Sequence, residues 1–350
     1  MTQATRVAIP TLVRIKPDAL ARVGVYLSRL EHRRVAVFLS DGLMEPLAAG
    51  LRTSLEAGAI EAVAWRNVAS HAFEDTVGHF VQMPRSATAV VGFGGGKALD
   101  VAKYVAFLAR LPYFAIPTSL SNDGFCSPHV SLTIQGRRRT LAANMPFGVI
   151  VDTQVCAQAP HLLTLSGIGD LAAKFTAVAD WKLAFHRAGE VVDDFAALLS
   201  DGAVHAFLGR PELDHEGMRL LATSLMFNGI AMEVCGSSRP ASGSEHLISH
   251  ALDESSARPR LHGLQVGVAT YLMSLLQQQN SQVIGRLFEQ TGFWDAIAGD
   301  KFSAAEWLEA VGRAPAIKPN FYTVLSTRDV MPEVTEALAN DHWLKACFTA

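Results

Sequence analysis

Four side chains of this sequence, Asp170, His246, His250 and His262, combine the donor types that a divalent cation takes. Imidazole nitrogen and carboxylate oxygen together suit Zn²⁺, and three protein ligands leave coordination positions open for a substrate. His246 and His250 are four residues apart, so they share one face if their segment is helical. Their surroundings, Ser242-Gly243-Ser244-Glu245-His246-Leu247-Ile248-Ser249-His250, lack the His-Glu-x-x-His order of metalloproteases, which excludes that chemistry. Structural readings stand beside the metal reading. Asp170, in Gly167-Ile168-Gly169-Asp170, has the character of an acidic residue near a helix start, paired with Lys174 at i,i+4. Ser242 and Glu245 have capping-box spacing. The chain has 12 histidines, so a histidine alone carries little weight, and the remainder, such as His32, His71 and His215, read as structural or surface groups.

A second cluster suits phosphate. Val90-Val91-Gly92-Phe93-Gly94-Gly95-Gly96-Lys97 follows a β-rich run and leads into the helix-forming Ala98–Lys103. Glycines let a backbone approach a diphosphate closely, and free N–H groups at a helix start bind its charge. The spacing is neither GxGxxG, since Lys97 falls where the last glycine belongs, nor a Walker A loop, since Val91 and Ala98 stand where Gly and Ser or Thr belong. ATP or GTP hydrolysis is therefore disfavoured. Asp41 ends the first β-rich run, where a carboxylate accepts hydrogen bonds from an adenosine ribose or simply caps a turn; at the ribose it would favour NAD by repelling a 2′-phosphate. Ile116-Pro117-Thr118-Ser119-Leu120-Ser121-Asn122-Asp123-Gly124 ends another such run. Its hydroxyls suit a nicotinamide or diphosphate, and Asp123 suits a substrate hydroxyl.

These residues need a scaffold, and the pattern supplies one. Short β-rich runs at Val35–Ser40, Glu61–Trp65, Ala87–Phe93, Tyr113–Ile116 and Gly148–Val151 alternate with helical spacing at Pro17–Arg33, Met44–Glu56 and Ala98–Arg110. That alternation predicts βαβ units and a mostly parallel sheet. Val130–Ala142 reads as a hairpin around Gln135-Gly136. After about Asp152 the β-rich runs stop and nearly everything has helical spacing. The expected organisation is an α/β, Rossmann-like domain over 1–155 and an all-helical domain over 156–350, with the boundary near Asp152–Pro160. Apolar faces over Met218–Val234 and Val266–Leu276 are assigned to the core rather than to a subunit contact, and homo-oligomerisation stays open.

Composition narrows the function classes. Hydrophobic residues make up 49% and charged residues 18% of 350, which excludes general disorder. A net charge of −3 gives no basic field for nucleic acid or an anionic membrane. No apolar run has the length of a membrane span, and MTQATRVAIPTLVR has no signal-type apolar core. The cysteines at 126, 156, 235 and 347 form no CxxC pair and read as reduced thiols, so a cytoplasmic location is expected.

Five stretches, in order, resemble the sn-glycerol-1-phosphate dehydrogenase family, within the larger group that shares the dehydroquinate synthase-like fold with metal-dependent alcohol dehydrogenases. They are GGGKALDVAK (94–103), PTSLSNDGFCSP (117–128), GIGDLAAKFTAVADWKLA (167–184), GSSRPASGSEHLISH (236–250) and LHGLQVGV (261–268). The resemblance implies that Gly94, Gly95, Gly96, Lys97 and Ala98 form the NAD or NADP diphosphate loop, completed by Thr118, Ser119, Leu120, Ser121 and Ser127. It implies that Asp123 and His250 contact substrate, and that Asp170, His246 and His262 hold a metal, usually Zn²⁺ with Ni²⁺ in some bacterial members, Asp170 touching substrate as well. The implied reaction interconverts dihydroxyacetone phosphate and sn-glycerol 1-phosphate, a product that feeds lipid chemistry. Other polyol substrates, or a dehydroquinate synthase-like cyclisation, are the alternatives on this scaffold; an Asp at 170 sides with the dehydrogenases, because the synthases usually have Glu there. Arg239 and Lys174 are candidates for the substrate phosphate, beside the plainer readings of a loop arginine and a helix ion pair.

Overall fold

The computed structural model describes residues 7–349. The chain divides into two compact units, Met1–Ala159 and Pro160–Ala350.

The first unit is an α/β sandwich. Its elements are β1 (Leu12–Lys16), α1 (Val23–Arg29), β2 (Arg34–Ser40), α2 (Glu45–Ala57), β3 (Glu61–Val68), α3 (Phe73–Val81), β4 (Ala89–Gly94), α4 (Gly96–Ala109), β5 (Tyr113–Pro117), β6 (His129–Ile134), β7 (Arg137–Ala142), β8 (Gly148–Asp152) and α5 (Thr153–Ala157). Six strands pair in the order β1-β8-β5-β4-β2-β3, and every pairing is parallel. β6 and β7 form the antiparallel hairpin that Gln135-Gly136 predicts, both residues at positive φ. Alternation along β2 separates the faces. Val35, Val37 and Leu39 pack with Leu27 of α1 and Leu51 of α2, whereas Ala36 and Phe38 pack with Val101 of α4. The chain leaves β2 for β3 on one side and returns with β4 on the other. The carboxyl ends of β2 and β4 thus flank a topological switch point, the crevice where open α/β sheets bind ligands.

The structure adds β1, which apolar density does not reveal. Leu-Val-Arg-Ile-Lys carries two cations, and as an edge strand it needs only one neighbour, β8, with Leu12 opposite Gly148 and Lys16 opposite Asp152. The helix expected over Pro17–Arg33 is shorter, a 3₁₀ turn at Leu20–Arg22 followed by α1.

The second unit is helical: α6 (His161–Ala172), α7 (Lys174–Ala188), α8 (Asp194–Leu208), α9 (His215–Cys235), α10 (Ser244–Ser255), α11 (His262–Leu276), α12 (Ser281–Gln290), α13 (Phe293–Gly299), α14 (Ala304–Ile317), α15 (Met331–Asn340) and α16 (Leu344–Cys347). Among the described residues its strands are β9 (Phe302–Ser303) and β10 (Phe348–Thr349), a short parallel pair. The apolar faces of α9 and α11 lie in the core: Leu221, Leu225, Val266 and Leu272 have no exposed surface. The continuous helical stretch His161–Ala188 is long and apolar enough to cross a membrane, contrary to the sequence expectation, but 83% of its most apolar window is buried. It is a core helix pair. Gly167-Ile168-Gly169-Asp170 closes α6 instead of opening a helix, because the helix already starts after Pro160.

Candidate metal centre and nucleotide edge

The helical unit positions its candidate ligands by close helix contact. α6 and α11 meet at Gly169 and Gly263. A Cβ on Gly169 would lie 2.0 Å from the carbonyl oxygen of Gly263, and one on Gly263 would lie 1.8 Å from that of Ser166. Only glycine allows this approach, and each glycine is the chain neighbour of a candidate ligand, Asp170 or His262. α10 brings the third, His246. At the start of α10 the Gly243 N–H donates to Glu245 Oε1 (2.5 Å) and the Ser244 N–H to Asp180 Oδ2 (2.8 Å). The expected Ser242–Glu245 capping box is absent, because Gly243 is the N-cap and carries no side-chain cap. Two buried carboxylates serve those N–H groups instead.

His246 Nε2 lies 3.4 Å from Asp170 Oδ1, and His262 Nε2 lies 3.9 Å from the same oxygen. One donor atom from each residue falls within 4.8 Å of the other two. Tetrahedral ligands on one Zn²⁺, with bonds of about 2.1 Å, stand about 3.4 Å apart, and the 3.4 and 3.9 Å separations to Asp170 are close to that. The far ring nitrogens are occupied. His246 Nδ1 is 2.9 Å from Glu245 Oε1, and His262 Nδ1 is 3.1 Å from Ser249 Oγ, an oxygen that accepts from Gln265 Nε2 (3.1 Å). A carboxylate can only accept, so Nδ1 of His246 carries a proton, and its Nε2, facing Asp170, is the atom that would bind a metal. Glu245 is fully buried and also accepts from Thr176 Oγ1 (2.8 Å). This is the carboxylate–histidine arrangement that orients metal ligands. Burial works against the charge of Asp170, but Lys174 and the two histidines hold its carboxyl well below the ordinary range. Asp170 is thus an anion, as a ligand must be. The donor set fits a divalent cation.

His250 joins the cluster from α10. Its ring stacks on that of His262 with centroids 5.9 Å apart, and stands 6.4 Å from that of His246. Of the two phosphate candidates, Lys174 is buried and donates to the Ala241 carbonyl (3.1 Å). Arg239 is 1% exposed, with Nε on Glu190 Oε1 (2.7 Å), Nη2 on Glu190 Oε2, Nη1 on the Tyr322 carbonyl (2.9 Å) and its guanidinium over the Phe321 ring. Both have internal partners, which favours the plainer readings of an enclosed arginine and a helix ion pair over a phosphate role.

In the α/β unit, the turn from β4 to α4 sits at the switch point. Gly94 adopts φ +138°, and a Cβ there would fall 2.1 Å from Ser40 Oγ. That oxygen accepts from the Gly95 N–H at 2.9 Å, fastening the turn to the end of β2. The sequence reading passes over Ser40, which anchors this candidate turn; its one signal is its place before Asp41 at a strand end. Gly96 and Lys97 are exposed, and Ala98 is buried beneath them. Thr118 joins the turn through its N–H, which donates to the Gly94 carbonyl (3.0 Å). Asp41 is exposed beside Ser40 at the same edge. Ser119, Ser121 and Asp123 are half-buried along the following loop, whereas Leu120 and Ser127 are buried. Ser127 Oγ accepts from the His129 N–H (3.0 Å).

With this geometry in place, comparison with known proteins is specific. The iron-containing alcohol dehydrogenase family matches residues 14–160. Among solved structures, the glycerol dehydrogenase of Schizosaccharomyces pombe superposes with a TM-score of 0.74 over 99% of this chain and 92% of its own, at 18% identity, which establishes a shared fold. Glycerol-1-phosphate dehydrogenase of Methanothermobacter thermautotrophicus is 38% identical, covering 71% of this chain and 73% of its own. The corresponding enzyme of Aeropyrum pernix is 34% identical over 97% of this chain and 98% of its own length. At that identity over nearly the whole of both sequences, the chain belongs to the glycerol-1-phosphate dehydrogenase family.

Proposed function

We propose that this protein is a metal-dependent, NAD(P)-linked oxidoreductase that interconverts dihydroxyacetone phosphate and sn-glycerol 1-phosphate by hydride transfer at C2. The end-to-end match to a glycerol-1-phosphate dehydrogenase carries this reading. The Asp170–His246–His262 triangle supports it chemically.

Asp170, His246 and His262 would hold the cation, and Glu245 and Ser249 would fix the imidazoles so that both Nε2 atoms converge. A divalent metal there, Zn²⁺ or Ni²⁺, supplies Lewis acidity to the carbonyl oxygen, and the nicotinamide supplies or receives the hydride. The main-chain N–H groups opening α4, with the helix dipole behind them, would bind the cofactor diphosphate at Gly94–Ala98. Thr118, Ser119, Leu120, Ser121 and Ser127 would border the rest of the dinucleotide. Asp41 would accept from the adenosine ribose and disfavour a 2′-phosphate. Asp123 and His250 would hold substrate hydroxyls, and His250 could pass a proton toward solvent. The scattered thiols, none of them in a disulfide, fit a cytoplasmic setting.

The test is oxidation of NADH and NADPH with dihydroxyacetone phosphate by chelator-stripped protein and by protein reloaded with Zn²⁺ or Ni²⁺. Metal-dependent turnover giving the sn-1 product is expected. Protein that binds metal and NADH yet turns over only another polyol phosphate, or shows no net NADH consumption, would overturn the substrate assignment.

A further inference from the structure

The motif that supplies the glycine turn also carries Lys103, and that residue has no role in the reading above. Lys103 lies on α4 two turns after the glycines. It is 1% exposed, among the largest fully buried side chains of the chain. Its Nζ donates to three main-chain carbonyls: Gly124 (2.6 Å), Ser127 (3.0 Å) and His129 (2.8 Å). An ammonium has three N–H groups and no acceptor, so all of its hydrogen-bonding capacity is matched here. A neutral amine would turn a lone pair toward one of those oxygens. One turn earlier on the same face, Asp100 supplies the counter-charge and accepts from the Ser131 N–H (3.2 Å). α4 therefore grips the backbone of Gly124–Ser131 at four points.

What it grips matters. That segment contains Ser127 and directly follows Asp123, while α4 itself begins at the phosphate turn. Burying a charged amine costs several kcal/mol unless it is fully hydrogen-bonded. An apolar residue would fill the same space between helix and loop without that cost, so packing alone does not account for the lysine. Cys126 lies within the gripped loop, has no exposed surface, and has its thiol pushed up to about 12 by burial.

We infer that Lys103 is a positioning residue: its ammonium fixes the Asp123–Ser127 loop at a set distance from the dinucleotide turn, so that the groups assigned to cofactor and substrate are held by one helix. The inference rests on the proposed roles of Asp123 and Ser127.

The experiment compares the full metal-loaded chain with Lys103→Met, Lys103→Ala and Lys103→Arg, well below each melting temperature. Lys103→Arg keeps the charge but cannot aim three N–H groups from one nitrogen, and it serves if the other two fail to fold. Loss of charge-assisted hydrogen bonds should lower kcat/KM by about tenfold or more, with bound metal unchanged. Added ethylammonium should restore part of the loss in Lys103→Ala, while tetramethylammonium, which has no N–H, should not. A purely structural lysine would give lower melting temperatures with wild-type kcat/KM; that result would overturn the inference, as would rescue by both cations alike. If wild-type protein itself shows no turnover, the functional reading fails separately. NADH affinity and the rate of Cys126 modification then decide: weaker binding with faster modification supports the inference, and no change in either overturns it.

Discussion

Gly169 and Gly263 lie back to back across the α6–α11 crossing, so close that a Cβ on the first would be 2.0 Å from the carbonyl of the second. Asp170 and His262 follow and precede these glycines in the chain. The approach of the helices and the approach of two candidate ligands are therefore one geometric fact. α10 adds His246 through the hydrogen bond from its Nδ1 to Glu245, and the centre needs no loop to hold any of its three donors.

Gly263→Ala tests that relationship. The added methyl must push α11 away from the Ser166 and Gly169 backbone, at a cost of about 1–3 kcal/mol. Separating the helices also separates His262 from Asp170, so metal affinity should fall with stability. Gly312→Ala is the control. It sits in α14 with nothing within 4 Å of the added methyl, and should be neutral or stabilising by up to about 1 kcal/mol. Denaturation midpoints and metal-competition titrations on both variants check this; equal metal affinity would show that the glycine contact does not set the ligand spacing.

Glu245→Gln removes the charge that fixes the His246 proton on Nδ1. An amide can rotate to present N–H to the ring, which favours the wrong tautomer. Loss of such a supporting carboxylate typically costs about 10–100-fold in metal affinity or activity. Zn²⁺ affinity of the variant, measured by chelator competition, should fall in that range while its helical circular dichroism is kept. Wild-type affinity would mean that the Glu245–His246 hydrogen bond is incidental to metal binding.

Much of this was legible in the sequence, and the exceptions have physical reasons. The parallel sheet and the helical second half follow from periodicity. The candidate ligand triad follows from residue type together with the five family stretches, because Asp170 and His262 are 92 positions apart and no local pattern joins them. Glu245 has the spacing of a helix cap in the sequence; its partners Thr176 and His246 come together only when α7 and α10 pack. Ser40 was hidden because a serine at a strand end is ordinary until Gly94 leaves room for it. Arg239 looked like a loop arginine near the site, and nothing local announced that Glu190 and Tyr322 would enclose it.

The candidate metal ligands and the groups proposed to contact substrate should separate experimentally. His246→Ala and His262→Ala should lose bound metal and with it turnover. Asp123→Ala and His250→Ala should keep both metal and NADH binding while kcat/KM falls by about 100-fold or more, the scale of a positioned proton or hydrogen-bonding group. Metal analysis beside steady-state kinetics reads all four. Full metal in either imidazole variant would misplace the centre, and unchanged kinetics in Asp123→Ala would remove it from the substrate site.

Arg239→Ala should act on stability and not on phosphate recognition. The guanidinium holds Glu190, the Tyr322 carbonyl and the Phe321 face from a buried position. The Glu190 side chain is 34% exposed, so part of its charge can return to water. A loss of about 2–3 kcal/mol is expected, below the full value for a deeply buried pair. KM for dihydroxyacetone phosphate should be unchanged at a temperature where the variant is folded. A large rise in KM with an unaltered melting temperature would return Arg239 to the substrate.

The buried thiols set an alkaline limit. Burial pushes Cys126, Cys156 and Cys347 up to about 12 from an ordinary value near 9. At about pH 8 they are neutral in the folded chain, so a disulfide reagent, which needs thiolate, should react quickly with Cys235 at most. In the unfolded chain all four titrate near pH 9, while the folded chain keeps its protons. The stabilisation from these raised values is therefore complete below about pH 9 and is lost as pH rises from about 9 toward 12. Tyr113 and Tyr271, also raised, join only above about pH 10. Urea midpoints should be level near pH 8 and fall steadily between about pH 9 and 10, and replacing Cys126 and Cys347 with Ala should flatten that fall. A level profile through pH 10, or rapid reaction of all four thiols in native protein, would show that these cysteines reach solvent.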